Sequence, residues 1–215
     1  WHTLVPGDHA DPTMLKDGTD YWMTFSSFQS YPGAVIWHSK DLVNWAPVTA
    51  ALTQPIGTVW AMDLIKHQGR YFIYIPVLQD AGTGIYVIHA DDVRGPWSAP
   101  VDLKVPGCID PGHVVGEDGR RYLFVNGGRR VRLKDDGLAT DGPLEDKAWT
   151  PWQYPRDWVV EMFAPEGPKL FRRGEWFYHV SAVGGTAGPP TSHLVTVARS
   201  RSVPGQKTPC QPPPL

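Results

Sequence analysis

Four carboxylates recur in this chain at the same place in a repeated pattern. Asp11, Asp63, Asp110 and Glu166 each precede a short apolar run, a turn glycine and an aromatic segment. The pattern returns with a period of about 50 residues, which fits a β-propeller blade of four strands. Because blades are arranged around one axis, we expect these carboxyl groups to meet around a central pocket. Carboxyl groups gathered in one pocket are suited to donating and accepting protons.

The elements that position these carboxylates are predicted to be short β-strands. In the first period, β-branched and aromatic residues predict strands at 13–16, 21–25 and 34–38, with a turn at Gly18. The turn glycines of the later periods are Gly69, Gly119 and Gly174. No segment repeats apolar residues with the helical period, so no substantial helix is predicted. The predicted fold class is therefore all-β, a β-propeller with four blades visible.

The composition is typical of one globular domain that can bury a sizeable core. In 215 residues, Lys and Arg number 20 and Asp and Glu 22, giving a net charge of −2. The cations are scattered, so neither nucleic acid nor an anionic membrane is an expected partner. No apolar run approaches the roughly 20 residues needed to span a bilayer. The sequence leaves localisation open.

Six short motifs in register resemble those of glycoside hydrolase family 43, in its β-xylosidase and α-L-arabinofuranosidase branch. They are His9-Ala10-Asp11-Pro12-Thr13, Trp60-Ala61-Met62-Asp63-Leu64, Ile109-Asp110-Pro111-Gly112, Glu166-Gly167-Pro168, and the segments 39–45 and 195–200. Each motif is short, but together they extend over nearly the whole chain. The resemblance implies the five-bladed propeller of these glycoside hydrolases.

Four periods fill residues 10–205, so we expect a C-terminally truncated chain that lacks the fifth blade. The predicted blades are 9–57, 58–105, 106–158 and 159–206, followed by a tail at 207–215. An open ring would expose apolar blade faces, which predicts self-association and low activity of a monomer. The alternative is that four blades contract into a closed ring.

The resemblance implies roles for three of the four carboxylates. Asp11 corresponds to the general base, Glu166 to the general acid, and Asp110 to a third carboxylate that orients the acid and tunes its pKa. Inverting hydrolysis of a glycosidic bond needs one protonated carboxyl and one ionised carboxylate that activates water. A third anion nearby helps to hold the acid protonated. Asp63 stands at the equivalent place in the second period, but the family does not use its counterpart, so we interpret it as structural.

Aromatic residues are the second set of candidates, because the C–H face of a sugar packs well on an aromatic ring. The chain has 10 tryptophans, and most are expected to fill space between blades. By resemblance, Trp60 is predicted to form a wall of the sugar subsite. Phe28 and Thr186 match further positions that line the pocket.

The sequence predicts no catalytic metal and no required cofactor. The eight histidines show no metalloprotease spacing, and no Cys-x-x-Cys pair accompanies them. The resemblance allows a structural Ca²⁺ on the propeller axis, held partly through a histidine of the fifth blade.

The function predicted by resemblance is that of an inverting glycosidase. It would remove terminal xylose or arabinofuranose from plant hemicellulose, with a xylo- or arabino-oligosaccharide as substrate. The alternatives are an endo-arabinanase, an enzyme acting on fructans as in sister clans, and a non-catalytic carbohydrate-binding propeller. A binding protein would not need all three acids, and all three are present here.

Overall fold

The computed structural model describes residues 4–149, 153–185 and 194–203. Within these ranges the chain consists of β-strands, loops and one 3₁₀ turn at Asn126–Gly128. The chain forms two compact units, Trp1–Ile109 and Asp110–Leu215, and each unit holds two sheets. None of the described residues belongs to a helix long and apolar enough to cross a membrane.

The first sheet is an antiparallel meander of four strands. They are β1 (Thr13–Asp17), β2 (Asp20–Thr24), β3 (Gly33–Ser39) and β4 (Ala46–Leu52). The first three were predicted from their β-branched and aromatic residues. The fourth was not predicted, because it is rich in alanine and carries one proline, both uncommon in strands.

The segment between β3 and β4 is a turn fixed by two side chains. The Ser39 hydroxyl oxygen accepts the backbone N–H of Leu42 at 2.9 Å. The Asp41 carboxylate accepts the N–H groups of Asn44 at 2.7 Å and Val43 at 2.9 Å. These hydrogen bonds, chiefly the one from Asn44, hold the pKa of Asp41 well below its usual range. This family-like motif is therefore explained by turn geometry, with no part in chemistry required.

The second sheet contains five strands, among them the longest in the described part of the chain. They are β5 (Thr58–Val59), β6 (Asp63–His67), β7 (Arg70–Gln79), β8 (Gly82–Ala90) and β9 (Val101–Asp102). The strand order is β5-β7-β8-β9, and β6 pairs with the same strand β7 as β5 does. Residues 60–62 therefore lie in a break between two short strands along the inner edge of this sheet.

The second unit holds two sheets of three strands each in its described part. One contains β10 (Gly112–Val115), β11 (Arg121–Val125) and β12 (Arg129–Leu133); the other contains β13 (Glu166–Arg173), β14 (Trp176–Val183) and β15 (Leu194–Ser200). The pairing of β13 with β14 shifts register between Glu166 and Lys169. The innermost strand of this sheet therefore begins with an irregularity.

All four predicted turn glycines adopt the left-handed backbone that glycine accepts most readily. Their φ angles are 61° at Gly18, 83° at Gly69, 76° at Gly119 and 60° at Gly174. This part of the repeat is confirmed. The four sheets span residues 13–52, 58–102, 112–133 and 166–200. The limits of the blades and the tail at 207–215 stay predictions.

A hydrogen-bonded cluster near the surface joins the two sheets of the first unit. The carboxylate of Asp17, on β1, accepts from the Lys66 ammonium at 2.7 Å and the Tyr71 hydroxyl at 2.5 Å. The hydrogen bond from Lys66 is the main reason why the pKa of Asp17 is lowered, whereas burial raises the pKa of Tyr71. The apolar core beneath includes Trp22, Ile36, Leu64, Ile73, Val77 and Ile88.

The core of the second unit contains a histidine in apolar surroundings. His179, on β14, lies 4.0 Å from the Trp149 ring and 5.4 Å from the Phe124 ring, measured between centroids. Its Nε2 is buried and has no hydrogen-bond partner among the described residues. Burial lowers the pKa of His179 to about 3. The folded state therefore holds this imidazole neutral.

We expect His179 to make stability depend on pH. In the unfolded chain, His179 takes up a proton below its ordinary pKa of about 6.5, whereas in the folded chain its pKa is about 3. This stability is complete above about pH 6.5 and falls by up to about 1.4 kcal/mol per pH unit as the pH drops through that window. Urea unfolding at pH 7 and pH 5 measures the loss. His179→Leu should lose less stability between the two pH values than the wild type, and an equal loss would contradict this account.

Candidate active site

Asp11 and Asp110 share an unusual backbone conformation. Each stands two residues before an innermost strand and directly before a proline, with φ of 57° and 55°. Aspartate is among the few residues found in the left-handed region, but such residues still carry a strain of about 1–3 kcal/mol. Strain of this kind is common at functional sites. The repeat in two sheets marks these two aspartates as a matched pair.

The Asp11 side chain is held by a residue that follows β2. The buried Ser26 hydroxyl donates to Asp11 Oδ2 at 2.5 Å, and the Ser26 N–H donates to the Ala10 carbonyl at 3.1 Å. Asp11 itself is exposed. The carboxylate is therefore fixed in direction while it remains open to solvent.

The chain that leads to Asp11 is also anchored. The His9 ring lies 4.7 Å from the Phe25 ring and 5.7 Å from the Trp37 ring, between centroids. Its Nε2 lies 3.0 Å from the Pro6 carbonyl oxygen. His9 is thus a hydrogen-bonded loop residue, and its ring fixes the approach to the aspartate.

The expected equivalence of Asp63 and Asp11 is wrong by two residues. Strands β1 and β6 each have five residues, and each closes on a two-residue turn. This register matches Asp63 to Thr13 and leaves Ala61 at the position of Asp11. Asp63 is buried, with 6% of its surface exposed, whereas Asp11 is exposed. The spacing of acids from turn glycines could not show this difference.

The two predicted subsite aromatics of the first unit belong to neighbouring segments. Phe28 and Val59 exchange both backbone hydrogen bonds at 2.9 Å, and the N–H of Trp60 donates to the Pro76 carbonyl at 3.1 Å. Phe28 is 36% exposed, and Trp60 is half-buried. The third predicted subsite residue, Thr186, lies outside the described residues.

In the second unit, the segments that carry Asp110 and Glu166 are bonded to each other. Asp110 Oδ2 accepts the N–H of Gly167 at 3.0 Å. The Lys169 ammonium donates to the Pro111 carbonyl at 3.1 Å. The segments that carry two of the three predicted carboxylates are therefore joined at the start of β13. The convergence of Asp11 with them stays a prediction.

Gly112 is required by this junction for steric reasons. Its φ lies outside the left-handed region, so the backbone alone does not demand glycine. A Cβ at this position would overlap the carbonyl group of Pro168. The start of β10 and the start of β13 are thus in direct backbone contact. The Ser181 hydroxyl donates to the Glu166 carbonyl at 2.8 Å and holds the same strand from its other side.

Glu161 is a further carboxylate that the sequence did not identify. It lies against Gly185, just after the end of β14. A Cβ on Gly185 would overlap the carboxylate of Glu161, so this side chain packs directly over the glycine. Gly185 has a φ of 80° and directly precedes Thr186. No motif marks Glu161, and only the fold shows that it reaches the segment of a predicted subsite residue.

The described residues offer no ready metal site. Within them, no three His, Cys, Asp or Glu side chains are grouped as metal ligands. Ca²⁺ prefers six to eight oxygen ligands, most of them from carboxylates and carbonyls. The structural Ca²⁺ that the resemblance allows stays a prediction and has no part in the proposed chemistry.

The sequence pattern of Glycosyl hydrolases family 43 matches residues 2–215, and the chain belongs to this family. Xylosidase/arabinosidase 43B of Humicola insolens is 32% identical over 222 residues, covering 93% of this chain. Xylan 1,3-beta-xylosidase of a Vibrio species is 30% identical over 224 residues, also 93% of this chain. The chain spans about 40% of the length of these relatives.

Solved structures of the family share the fold. The crystal structure of the family 43 protein BlXynB from Bacillus licheniformis gives a TM-score of 0.79 at 29% identity. The match covers 94% of this chain and 41% of that one. The predicted fold class is confirmed: the chain is all-β and has the fold of the five-bladed glycoside hydrolase propellers, with four blades visible.

Gly112→Ala should destabilise the junction that joins Asp110 to Glu166. Overpacking of this kind costs about 1–3 kcal/mol. Gly84→Ala is the matched control, because a Cβ there meets no atom within 4 Å and its φ is not left-handed. Removing a strand glycine at such a site should leave stability unchanged or raise it by about 0.5–1 kcal/mol. Equal free energies of unfolding for the two variants, measured in urea, would contradict the contact.

Proposed function

We propose that this chain carries the hydrolytic centre of an inverting glycosidase. Its substrate would be a xylo- or arabino-oligosaccharide, from which it removes a terminal xylose or arabinofuranose. Membership of family 43 and the names of the two relatives support this substrate class. Endo-acting arabinan cleavage and sugar binding without hydrolysis are the alternatives that the experiments below separate. Self-association is a further prediction that these observations leave untested.

In the proposed reaction, water attacks the anomeric carbon while the glycosidic C–O bond breaks. Asp11, as an ionised carboxylate, takes the proton from water. Glu166, as a protonated acid, gives its proton to the leaving oxygen. Water and leaving group lie on opposite faces of the sugar, so the anomeric configuration inverts.

The contacts of each carboxylate fit these roles. Asp11 is exposed, and the Ser26 hydroxyl occupies one of its oxygens, which leaves the other to bind water. Glu166 begins a strand whose backbone is fixed from two sides, through Gly167 and through its own carbonyl. Positioning of this kind matters because misplacement of a reacting group costs rate steeply.

The observation that carries the proposal is the hydrogen bond from the Gly167 N–H to Asp110. It ties the third carboxylate to the residue that follows the proposed acid, at 3.0 Å. This hydrogen bond extends beyond the loop of Asp110 itself, to a residue 57 positions away. Asp110 is thus proposed as the residue that orients Glu166.

A direct test is hydrolysis of nitrophenyl β-xyloside and nitrophenyl α-L-arabinofuranoside by the purified chain. Release of nitrophenol from either substrate supports an exo-acting glycosidase, and the ratio of kcat/KM gives the preferred sugar. Cleavage of linear arabinan in mid-chain, with neither nitrophenyl glycoside hydrolysed, would favour the endo-arabinanase. Binding of these sugars without any hydrolysis would favour the binding protein.

Glu166→Gln should reduce activity according to the leaving group. General acid catalysis contributes about 10²–10⁴-fold, and less when the leaving group needs little protonation. We expect a large loss on an oligosaccharide and a smaller loss on a nitrophenyl glycoside, whereas Asp11→Asn should be severe on both. Glu175→Gln, in the exposed turn before β14, is the matched control and should keep full activity. Equal losses of Glu166→Gln on both substrates would argue against its role as the acid.

The sugar product should first appear with inverted configuration. Direct attack of water opposite the leaving group permits no other outcome, whereas a covalent intermediate would give retention. Proton NMR of the anomeric signals during the first minutes of hydrolysis distinguishes the two. A retained anomer would show that one carboxylate acts as a nucleophile.

A further inference from the structure

A groove on the second sheet has no assigned role. Its volume is about 360 Å³, within the range of small-molecule sites. It lies where β7 turns into β8 and is bordered on the far side by the segment after β9. All of its lining residues belong to the first unit. It is separate from the carboxylates described above.

The floor of the groove is bare backbone. Gly82, Gly84 and Tyr86 alternate along β8 and therefore share one face of the sheet. A Cβ on either glycine would meet no heavy atom within 4 Å. Gly84 pairs with Val77 in a regular register, and its φ is not left-handed. Neither backbone conformation nor packing requires glycine at this position.

A glycine inside a strand weakens the strand and often marks a place where a ligand approaches closely. Gly84 fits this description, since the space and the backbone conformation at this position would also permit a larger residue that favours strands. Together with Gly82, it leaves a strip of β8 that carries no side chains. Strands lie about 5 Å apart, so the strip is about 10 Å wide from β7 to the segment after β9.

The walls of the groove combine one aromatic ring with hydrogen-bonding groups. Tyr86 stands at one end and is half-buried. Gln79 lies on one side, and its amide donates to the Ile56 carbonyl at 2.7 Å. On the other side, the Lys104 ammonium and the Asp102 carboxylate are 2.6 Å apart. Their charges offset each other, so the groove favours a neutral ligand rich in hydroxyl groups over an ion.

We propose that this groove is an accessory subsite for one sugar residue of a neutral polysaccharide chain. The sugar ring would lie on the glycine strip, with its C–H face against Tyr86 and its hydroxyls towards Gln79, Asp102 and Lys104. The choice of xylan or arabinan as the polysaccharide rests on the proposed function. The groove shares strand β7 with Val59 and Trp60, which pair with its other edge. A polysaccharide long enough to extend across β7 would reach both sets of residues in this unit.

The test measures binding of xylohexaose and arabinohexaose by calorimetry. The chain carries Glu166→Gln, so that the oligosaccharide is not consumed. Gly84→Val fills the groove floor, and this change should not impair folding because valine favours strands. We expect the dissociation constant of the better hexasaccharide to rise about 10-fold, which corresponds to a loss of about 1.4 kcal/mol. Tyr86→Phe, which keeps the ring, should cause a smaller loss.

Ala46→Val is the matched control, since it also introduces a valine side chain into a strand, at an exposed position of β4. It should leave hexasaccharide binding unchanged. Gly84→Val alone, with Glu166 intact, should hydrolyse nitrophenyl glycosides at the unmodified rate, because these substrates carry a single sugar and no groove residue belongs to the candidate active site.

The outcomes separate this inference from the proposed function. Hexasaccharide affinity that is undetectable, that Gly84→Val leaves unchanged, or that Ala46→Val lowers equally would overturn the accessory subsite. Hydrolysis of nitrophenyl glycosides can still succeed in each of those cases. Conversely, groove-dependent binding without any hydrolysis would uphold the subsite and overturn the glycosidase.

Discussion

Within each unit, a hydrogen bond joins the innermost strands of the two sheets near their starts. A side chain of one strand segment accepts the backbone N–H of the next. In the first unit the Thr13 hydroxyl oxygen accepts the N–H of Leu64 at 3.2 Å. In the second unit the Asp110 carboxylate accepts the N–H of Gly167 at 3.0 Å. Inner strands of adjacent sheets share no ladder, so these N–H groups need another acceptor. In the second unit the acceptor is the carboxylate of Asp110, a predicted site residue. The same oxygen atom therefore contributes both to the fold and to the candidate site.

The architecture could be predicted because its signals are local. A turn glycine and the aromatic residues that follow it lie within a few positions of each other, and all four predicted turns, such as those at Gly18 and Gly174, are confirmed. Strands without such signals were missed. Ala46–Leu52 has weak strand-forming residues, and Thr58–Val59 is too short to show a pattern. Their place is set by pairing with neighbours that are themselves well specified.

Only the site residues that lie within short sequence motifs could be predicted. Asp11, Asp110 and Glu166 were identified because short motifs surround them. The hydroxyl of Ser26 and the packing of Glu161 on Gly185 were not, because each contact joins residues 15 or more positions apart. The position of Asp63 was misjudged for a related reason. Spacing counts residues, whereas the register of paired strands decides which residues are equivalent.

The left-handed backbone of Asp11 and Asp110 affects how mutagenesis of this protein should be interpreted. Alanine avoids that region, whereas asparagine tolerates it about as well as aspartate does. An alanine scan would therefore remove the carboxylate and disturb the chain direction at the same residue, and the two losses would be indistinguishable. Asparagine separates them, since it keeps the shape and deletes only the charge. At these two positions the informative comparison is between asparagine and alanine, and their difference measures the backbone contribution.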